Sequence, residues 1–280
     1  MKNSPPPTTC TSFKNIWKLL PALVQGPSVS AYYAAPLIKM AKINLGNTKL
    51  GAAIWSWSLP ASARMCPGAS AACKKACYAK RGHFLHSSVR NSYLANQQAA
   101  KSSTFTRWMT AQLQASHVKI LRIHVSGDFY SAAYIRKWIA IVRQNHQCQF
   151  FAYTRSWRKA ALQPLLAELA ALPNMALWYS ADMTTGTPPP GLRAYMAVSD
   201  IDATTVAPDY QLVFRVNQRT PLKRVNGMQV CPAENGVSGQ WRHTCTSCGL
   251  CWNKKKGLVD INQPAPKIQL FRALTYAEAV

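Results

Sequence analysis

The stretch Ile120–Thr154, ILRIHVSGDFYSAAYIRKWIAIVRQNHQCQFFAYT, changes its hydrophobic period twice and decides the fold. Ile120 to Val125 is an apolar run short enough for a buried strand, Ala132 to Gln144 spaces its apolar residues as a helix does, and Gln149 to Thr154 reads as a strand again. Working outward, further strands are predicted near Ala52–Ser58, Met175–Ser180, Ala194–Ser199 and Gln211–Val216, with helices near Ser87–Ala115 and Lys159–Ala171. Strands alternating with helices in this way argue for an α/β fold, a parallel sheet closed fully or partly into a barrel with helices packed outside. The run TPPPG, Thr187 to Gly191, must be a loop, because proline neither continues a helix nor donates to a ladder.

Three segments are expected: an N-terminal extension over 1–50, the α/β domain over 51–225, and a cysteine-rich C-terminal segment over 226–280. The extension holds Pro5, Pro6 and Pro7, then an amphipathic stretch around Ile16 to Val24, then Gly26-Pro27, and shows no recognisable chemistry.

Charge narrows the function. Thirty-three Lys and Arg against nine acids leave a net charge of +24, which repels itself in any compact state unless a polyanion binds. Nucleic acid is the expected polyanion. No segment reaches the roughly 18 uninterrupted apolar residues of a membrane span. The apolar stretch near the start is broken by Lys18 and Pro21, unlike a signal peptide. A cytoplasmic location is therefore expected, and in a reducing compartment clustered cysteines are more often metal ligands than disulfides.

Two such clusters occur. Cys66-x6-Cys73-x3-Cys77 follows the first strand, and three thiolates leave one position of a four-iron cluster open, as catalysis requires. Cys231-x13-Cys245-x2-Cys248-x2-Cys251 supplies four thiols, three of them at the close spacing of an iron-sulfur loop. Structural zinc is the alternative at both. Cys148 reads as a small apolar core residue and Cys10 has no partner nearby.

The carboxyl ends of the strands carry the polar residues: HVSGDF, YTRSW, YSAD and AVSD. In βα architectures active sites form on that rim. Asp128, Asp182 and Asp200 all fall there, either as helix caps or as a magnesium site for phosphodiester hydrolysis. Gly127 beside Asp128 suggests close backbone approach to something.

CPGASAACKKACYA, IHVSGDFYSAAYIRKW, FAYTRSW, LPNMALWYSAD and the terminal CPA…CTSCGLCW resemble the phage and plasmid family called gene product 88, over most of Cys66 to Cys251. Cys-x6-Cys followed by CYA is also similar to a phage family regarded as radical S-adenosylmethionine-like, in which the last spacing is two rather than three. That resemblance implies a partial (β/α)6 barrel whose cysteine loop holds a four-iron cluster and S-adenosylmethionine, with an electron donor as partner. Ser126, Gly127 and Asp128 would stand where that family holds the methionine amino group, and Ser180 and Asp182 where ribose or substrate is contacted. Cys-x6-Cys-x3-Cys departs from the usual Cys-x3-Cys-x2-Cys, and aspartate is one methylene shorter than the family's glutamate.

Lys74, Lys75, Lys80 and Arg81 flank the first cluster, Arg155, Arg158 and Lys159 follow strand FAYT, and Lys254 to Lys256 follow the last cysteine. These would hold phosphates, with Tyr78, Phe84, Tyr153 and Trp157 available to stack on bases. The competing expectation is a zinc-stabilised nucleic-acid-binding protein without catalysis. His83, His86, His124 and His243 are weaker metal-ligand candidates, and an interior hydrogen bond explains His124 equally well.

Overall fold

The computed structural model describes residues 41–47, 49–198, 209–216, 224–233 and 244–253. Nine strands form one sheet: β1 (Asn44–Leu45), β2 (Ile54–Trp57), β3 (Ile120–Ile123), β4 (Gln149–Thr154), β5 (Met175–Ala181), β6 (Leu192–Ala197), β7 (Leu212–Arg215), β8 (Arg224–Val225) and β9 (Met228–Val230). Their order is β1-β2-β3-β4-β5-β6-β7-β9-β8. From β2 to β7 each strand lies parallel to the next in chain order, and β9 continues parallel to β7. Only the end strands β1 and β8 pair antiparallel. The protein is thus mixed α/β with a large, mostly parallel sheet, and the strands predicted from sequence end within two residues of those observed.

Because the sheet is wound in one direction, right-handed crossovers place the helices on a single face. Besides the short α1 (Ala71–Ala76), these are α2 (Ser87–Lys101), α3 (Phe105–Ala115), α4 (Ala132–Gln144) and α5 (Gln163–Ala171). Trp108, Met109, Ile135, Trp138, Leu166 and Leu169 pack there against Leu121, Ile123, Phe150, Ala152 and Leu177. The alternate strand residues, Ile54, Ile120, Phe151, Ala176, Trp178 and Leu212, form a second core with Cys231, Cys245, Cys248 and Cys251. The cysteine-rich segment, with its short helix α6 (Cys245–Cys248), therefore covers the face the larger helices leave bare.

Local chemistry sets the helix ends. Ser131 caps α4 by accepting from the Tyr134 amide at 3.3 Å, and α4 keeps its predicted bounds. The predicted single helix Ser87–Ala115 is two, because Ser102 and Thr104 bond each other's hydroxyls at 2.8 Å and the Thr104 amide donates to Ser102 Oγ at 3.2 Å. Such local bonds compete with the helical ladder. α5 starts later than the expected Lys159, after two 3-10 turns, with proline in its first turn.

Two expected boundaries fall within the sheet. The division at 225/226 falls inside the β8–β9 hairpin, and β1 pairs with β2 across the division at 50/51, so both flanks share the sheet. The amphipathic stretch at 16–24 and Cys10 lie outside the described residues. Among the described residues, no helix is long and apolar enough to cross a membrane.

His124, just past β3, has a positive φ of 65° and is buried beneath Phe129. Its Nε2 lies 2.9 Å from Tyr134 Oη, which also accepts from Trp57 Nε1 at 2.9 Å, while Nδ1 has no partner. Burial, with the Arg122 charge second, lowers its pKa to about 3, so the imidazole is neutral. Below the unfolded value of about 6.5 the unfolded chain takes up a proton that the folded one refuses, so this group lowers stability as pH falls from about 6.5 toward 3. Urea melts should show His124→Asn, which tolerates the left-handed backbone, less acid-sensitive than the parent by up to about 1.4 kcal/mol per pH unit in that window.

Candidate functional site

The three-cysteine loop sits on the carboxyl ends of β3, β4 and β5, and the contacts that seat it are specific. Buried Met65 accepts from the Asp128 amide at 2.9 Å through its carbonyl. A Cβ added to Gly68 would stand 1.8 Å from the Arg155 carbonyl oxygen, so only glycine permits this approach. Arg158 donates to the Gly68 carbonyl at 3.0 Å. Ser70 caps α1 by accepting from the Cys73 amide at 3.0 Å, and its hydroxyl donates to Asp182.

Beneath the loop lies a buried ion pair. Arg155 is 7% exposed and its guanidinium pairs with Asp182 while donating to Ser70 Oγ at 3.2 Å. Asp182 Oδ1 accepts from the Thr184 amide and hydroxyl at 2.9 and 2.7 Å. Burial pushes the Asp182 carboxyl up, but Ser70, Arg155 and Thr184 outweigh it and hold the group below the usual range. Asp128 accepts from the Phe129 amide at 2.7 Å, Thr154 Oγ1 at 2.6 Å and the Arg155 amide at 2.9 Å, and its burial raises its pKa. Neither aspartate caps a helix: Asp128 ties the β3–α4 connection to the end of β4, and Asp182 folds its own turn.

Several of the expected site residues face the protein interior. Arg155 faces inward, paired with Asp182. Gly127, with φ of 84°, closes on Leu59, whose Cβ would lie 2.6 Å from an added Cβ, so its close approach is to protein. Ser126 is buried with no partner for Oγ, and the Ser180 carbonyl accepts from Trp157 Nε1 at 2.9 Å. Trp157 and Tyr153 are built into the protein, Tyr153 stacking on Trp178. Asp200, His243 and Lys254 to Lys256 lie outside the described residues.

Cys66, Cys73 and Cys77 are half-buried and not in disulfides. Burial, then Asp128, Cys73 and Cys77, push the Cys66 thiol up to about 12, and burial also raises Cys73 against the opposing charge of Arg155. Such thiols stay protonated until something displaces the proton. On the opposite face Cys231, Cys245, Cys248 and Cys251 line one cavity of about 10 Å³, about the room of one water. Tyr153 donates to Cys251 Sγ at 2.7 Å and Trp178 to the Cys251 carbonyl at 2.9 Å. Burial first, then Cys245, push the Cys251 thiol up to about 12. Among the described residues, no three His, Cys, Asp or Glu side chains gather closely enough to grip a single metal ion.

The family model described as Gene product 88 matches residues 36–254, a span that holds every described residue. The chain belongs to the gene product 88 family. "Gene 88 protein" of Mycobacterium phage D29 is 27% identical over 206 residues, 69% of this chain and 80% of that protein. "Gene 88 protein" of Mycobacterium phage L5 is 33% identical over 128 residues, 42% of this chain and 52% of that protein. No solved structure matches the chain.

In this gene product 88 protein Lys74, Lys75, Lys80, Arg81, Arg158 and Lys159 are exposed around the cysteine loop. Tyr78, 51% exposed, stands 5.5 Å from the Phe84 ring, and Phe84 stands 6.4 Å from Tyr93. Sequence reasoning missed Gly68 and Ser70, although Ser70 three residues before Cys73 carries the signal of a helix cap. Gly68→Ala should unseat the loop without unfolding the sheet. Alkylation of Cys66, followed by mass spectrometry, should then run at least about tenfold faster than in the parent while the cooperative melt persists.

Proposed function

We propose that Cys66, Cys73 and Cys77 hold one four-iron cluster, with an iron left open to S-adenosylmethionine, at the carboxyl edge of a partial (β/α)6 barrel, and that the protein acts on nucleic acid. The observation that carries this reading is the clamped loop: three thiols brought by one segment to the rim where parallel strands end. The donor set fits, since soft thiolates suit iron-sulfur clusters. A single tetrahedral zinc with bonds of about 2.3 Å would draw its sulfurs to about 3.8 Å from one another, and no described group of ligands is gathered for one ion. A wider cluster spaces its thiolates farther apart. When bound, such a cofactor supplies radical chemistry, and it needs an electron donor.

The chain's own residues then position and shield. Asp128 holds the β3–α4 connection in place through three donors instead of contacting a ligand, and Arg155 with Asp182 fixes the loop from below. The magnesium-nuclease alternative is weakened by the same bonds, because a carboxylate has about four acceptor directions and Asp182 has its four filled by Ser70, Arg155 and Thr184. The exposed basic residues around the loop, within a chain of charge +24, support a polyanionic substrate.

Anaerobic reconstitution tests the cluster. Cys66→Ala should lose about four irons and four sulfides per chain relative to the parent, and S-adenosylmethionine should change the electron paramagnetic resonance spectrum of the reduced parent. A protein that takes up zinc and no sulfide overturns this reading. Nucleic-acid binding should weaken with salt at a log-log slope of about 0.9 per neutralised phosphate on duplex DNA. Replacing Lys74, Lys75, Lys80 and Arg81 together by glutamine should lower that slope, and absence of binding at low salt overturns the substrate assignment.

A further inference from the structure

The edge of the three-cysteine loop carries an aromatic ring that the protein holds at its polar end and leaves open at its face. Tyr78 follows Cys77 directly, and its hydroxyl donates to the Val125 carbonyl just past β3. The side chain is thereby fixed at both ends, yet the residue is 51% exposed. Phe84 stands beside it with ring centres 5.5 Å apart and tilted by 57°, so neither ring lies flat on the other. Two 3-10 turns, Tyr78–Lys80 and Gly82–Leu85, bring both rings to this edge, and Leu85 is 56% exposed there. The same segment carries cations. Lys74 and Lys75 stand in the last turn of α1, Lys80 and Arg81 close the first 3-10 turn, and Arg81 donates to the Lys75 carbonyl at 3.0 Å. All four are exposed, and among the described residues none pairs with a carboxylate. The sequence itself keeps acids away from them, since the first Asp or Glu of the chain is Asp128.

We infer that this edge takes single-stranded nucleic acid, with an unpaired base stacked on Tyr78 and the flanking phosphates on Lys74, Lys75, Lys80 and Arg81. The inference rests on the reading that the protein acts on nucleic acid, and it narrows that reading to a strand whose bases are free. A duplex keeps its base faces against one another and offers an exposed ring only base edges, sugars and phosphates. A single strand can lay a base on the ring, and every base has a face to give. Because the Val125 bond already fixes the tyrosine, stacking on it costs little further ordering of the side chain. An anionic membrane also attracts lysines, but interfacial tyrosines keep the hydroxyl at the headgroups, whereas this hydroxyl is turned to the protein backbone. The stacked base would stand beside Cys77, at the edge of the loop to which the chemistry is assigned.

The test is fluorescence anisotropy with the full chain, purified anaerobically, and a labelled strand of about 16 nucleotides, alone or annealed to its complement. The parent should bind the single strand more tightly than the duplex. Tyr78→Ala should weaken single-strand binding by about 5- to 100-fold, the range for losing one base–aromatic stack, and change duplex binding by less than about twofold. Tyr78→Phe keeps the ring and should stay within about threefold of the parent, whereas Tyr78→Leu, apolar without a π face, should behave as Tyr78→Ala. Equal affinity of the parent for both forms, or equal losses on both in Tyr78→Ala, overturns the single-strand assignment and leaves the broader nucleic-acid reading standing. Absence of binding to either form at low salt removes that reading and the inference with it. Binding to phosphatidylserine vesicles in place of the strand makes the edge a membrane surface and overturns the proposal. If Tyr78→Ala does not fold, Tyr78→Phe and Tyr78→Leu carry the comparison, and equal single-strand affinity between those two overturns it.

Discussion

The pair between Arg155 and Asp182 is the contact on which the site depends. It joins the end of β4 to the end of β5 and, through Ser70, draws the cysteine loop onto both. Two charges taken out of water stay favourable only if the remaining donors and acceptors are matched, and here they are: Thr184 fills the other oxygen of Asp182, while Arg155 also reaches the Ala181 carbonyl. Loss of either partner leaves an uncompensated buried charge, which costs about 3–5 kcal/mol. The same contact explains the glycine at 68, since a loop pulled onto a strand end by two side chains must bring its own backbone against that strand's carbonyl.

The winding of the sheet explains the second group of cysteines. Six strands taken in order send every crossover helix to one side, and a parallel sheet exposed on the other side would leave Ile54, Phe151, Trp178 and Leu212 in water. The described residues after β9 meet that need. They are held by the Cys245 amide on the Lys49 carbonyl at 2.9 Å, by Thr246 on the Leu50 carbonyl at 2.8 Å and by the capping box of Thr244 and Ser247. Cysteine suits that covering role, being small and apolar as a thiol.

Periodicity read the strands well because buried parallel strands are nearly continuous apolar runs, and β4 matched its predicted bounds. It failed where a side chain competed with the backbone: Ser102 and Thr104 break a run whose apolar spacing continues through them. The very short edge strands β1 and β8, of two residues each, carry too little pattern to be seen. At the site, residue type and spacing located the cysteine loop, the strand-end acids and the basic fringe. They could not distinguish an acid that waits for a ligand from one that holds the protein together. Asp128 and Asp182 belong to the second kind, and the difference lies in Thr154, Ser70 and Arg155, which are remote in sequence and adjacent only after folding. The same holds for Arg155, because a basic residue after a strand reads as exposed until its partner, here Asp182, is known.

The internal use of acids also shapes the surface. Four of the chain's nine acids fall among the described residues, Asp128, Glu168, Asp182 and Asp209, and all four are engaged. Asp128 and Asp182 face inward, Glu168 pairs with Arg143 at 2.8 Å and Asp209 with Arg193 at 2.7 Å. Lys74, Lys75, Lys80 and Arg158, around the cysteine loop, have no carboxylate partner among the described residues. Among the described residues no carboxylate cancels their field, which reaches out about a Debye length, roughly 8 Å at physiological salt. The two aspartates that seat the loop are therefore also two charges withheld from the surface above it. Clamping the thiols and leaving a positive rim are consequences of the same buried carboxylates.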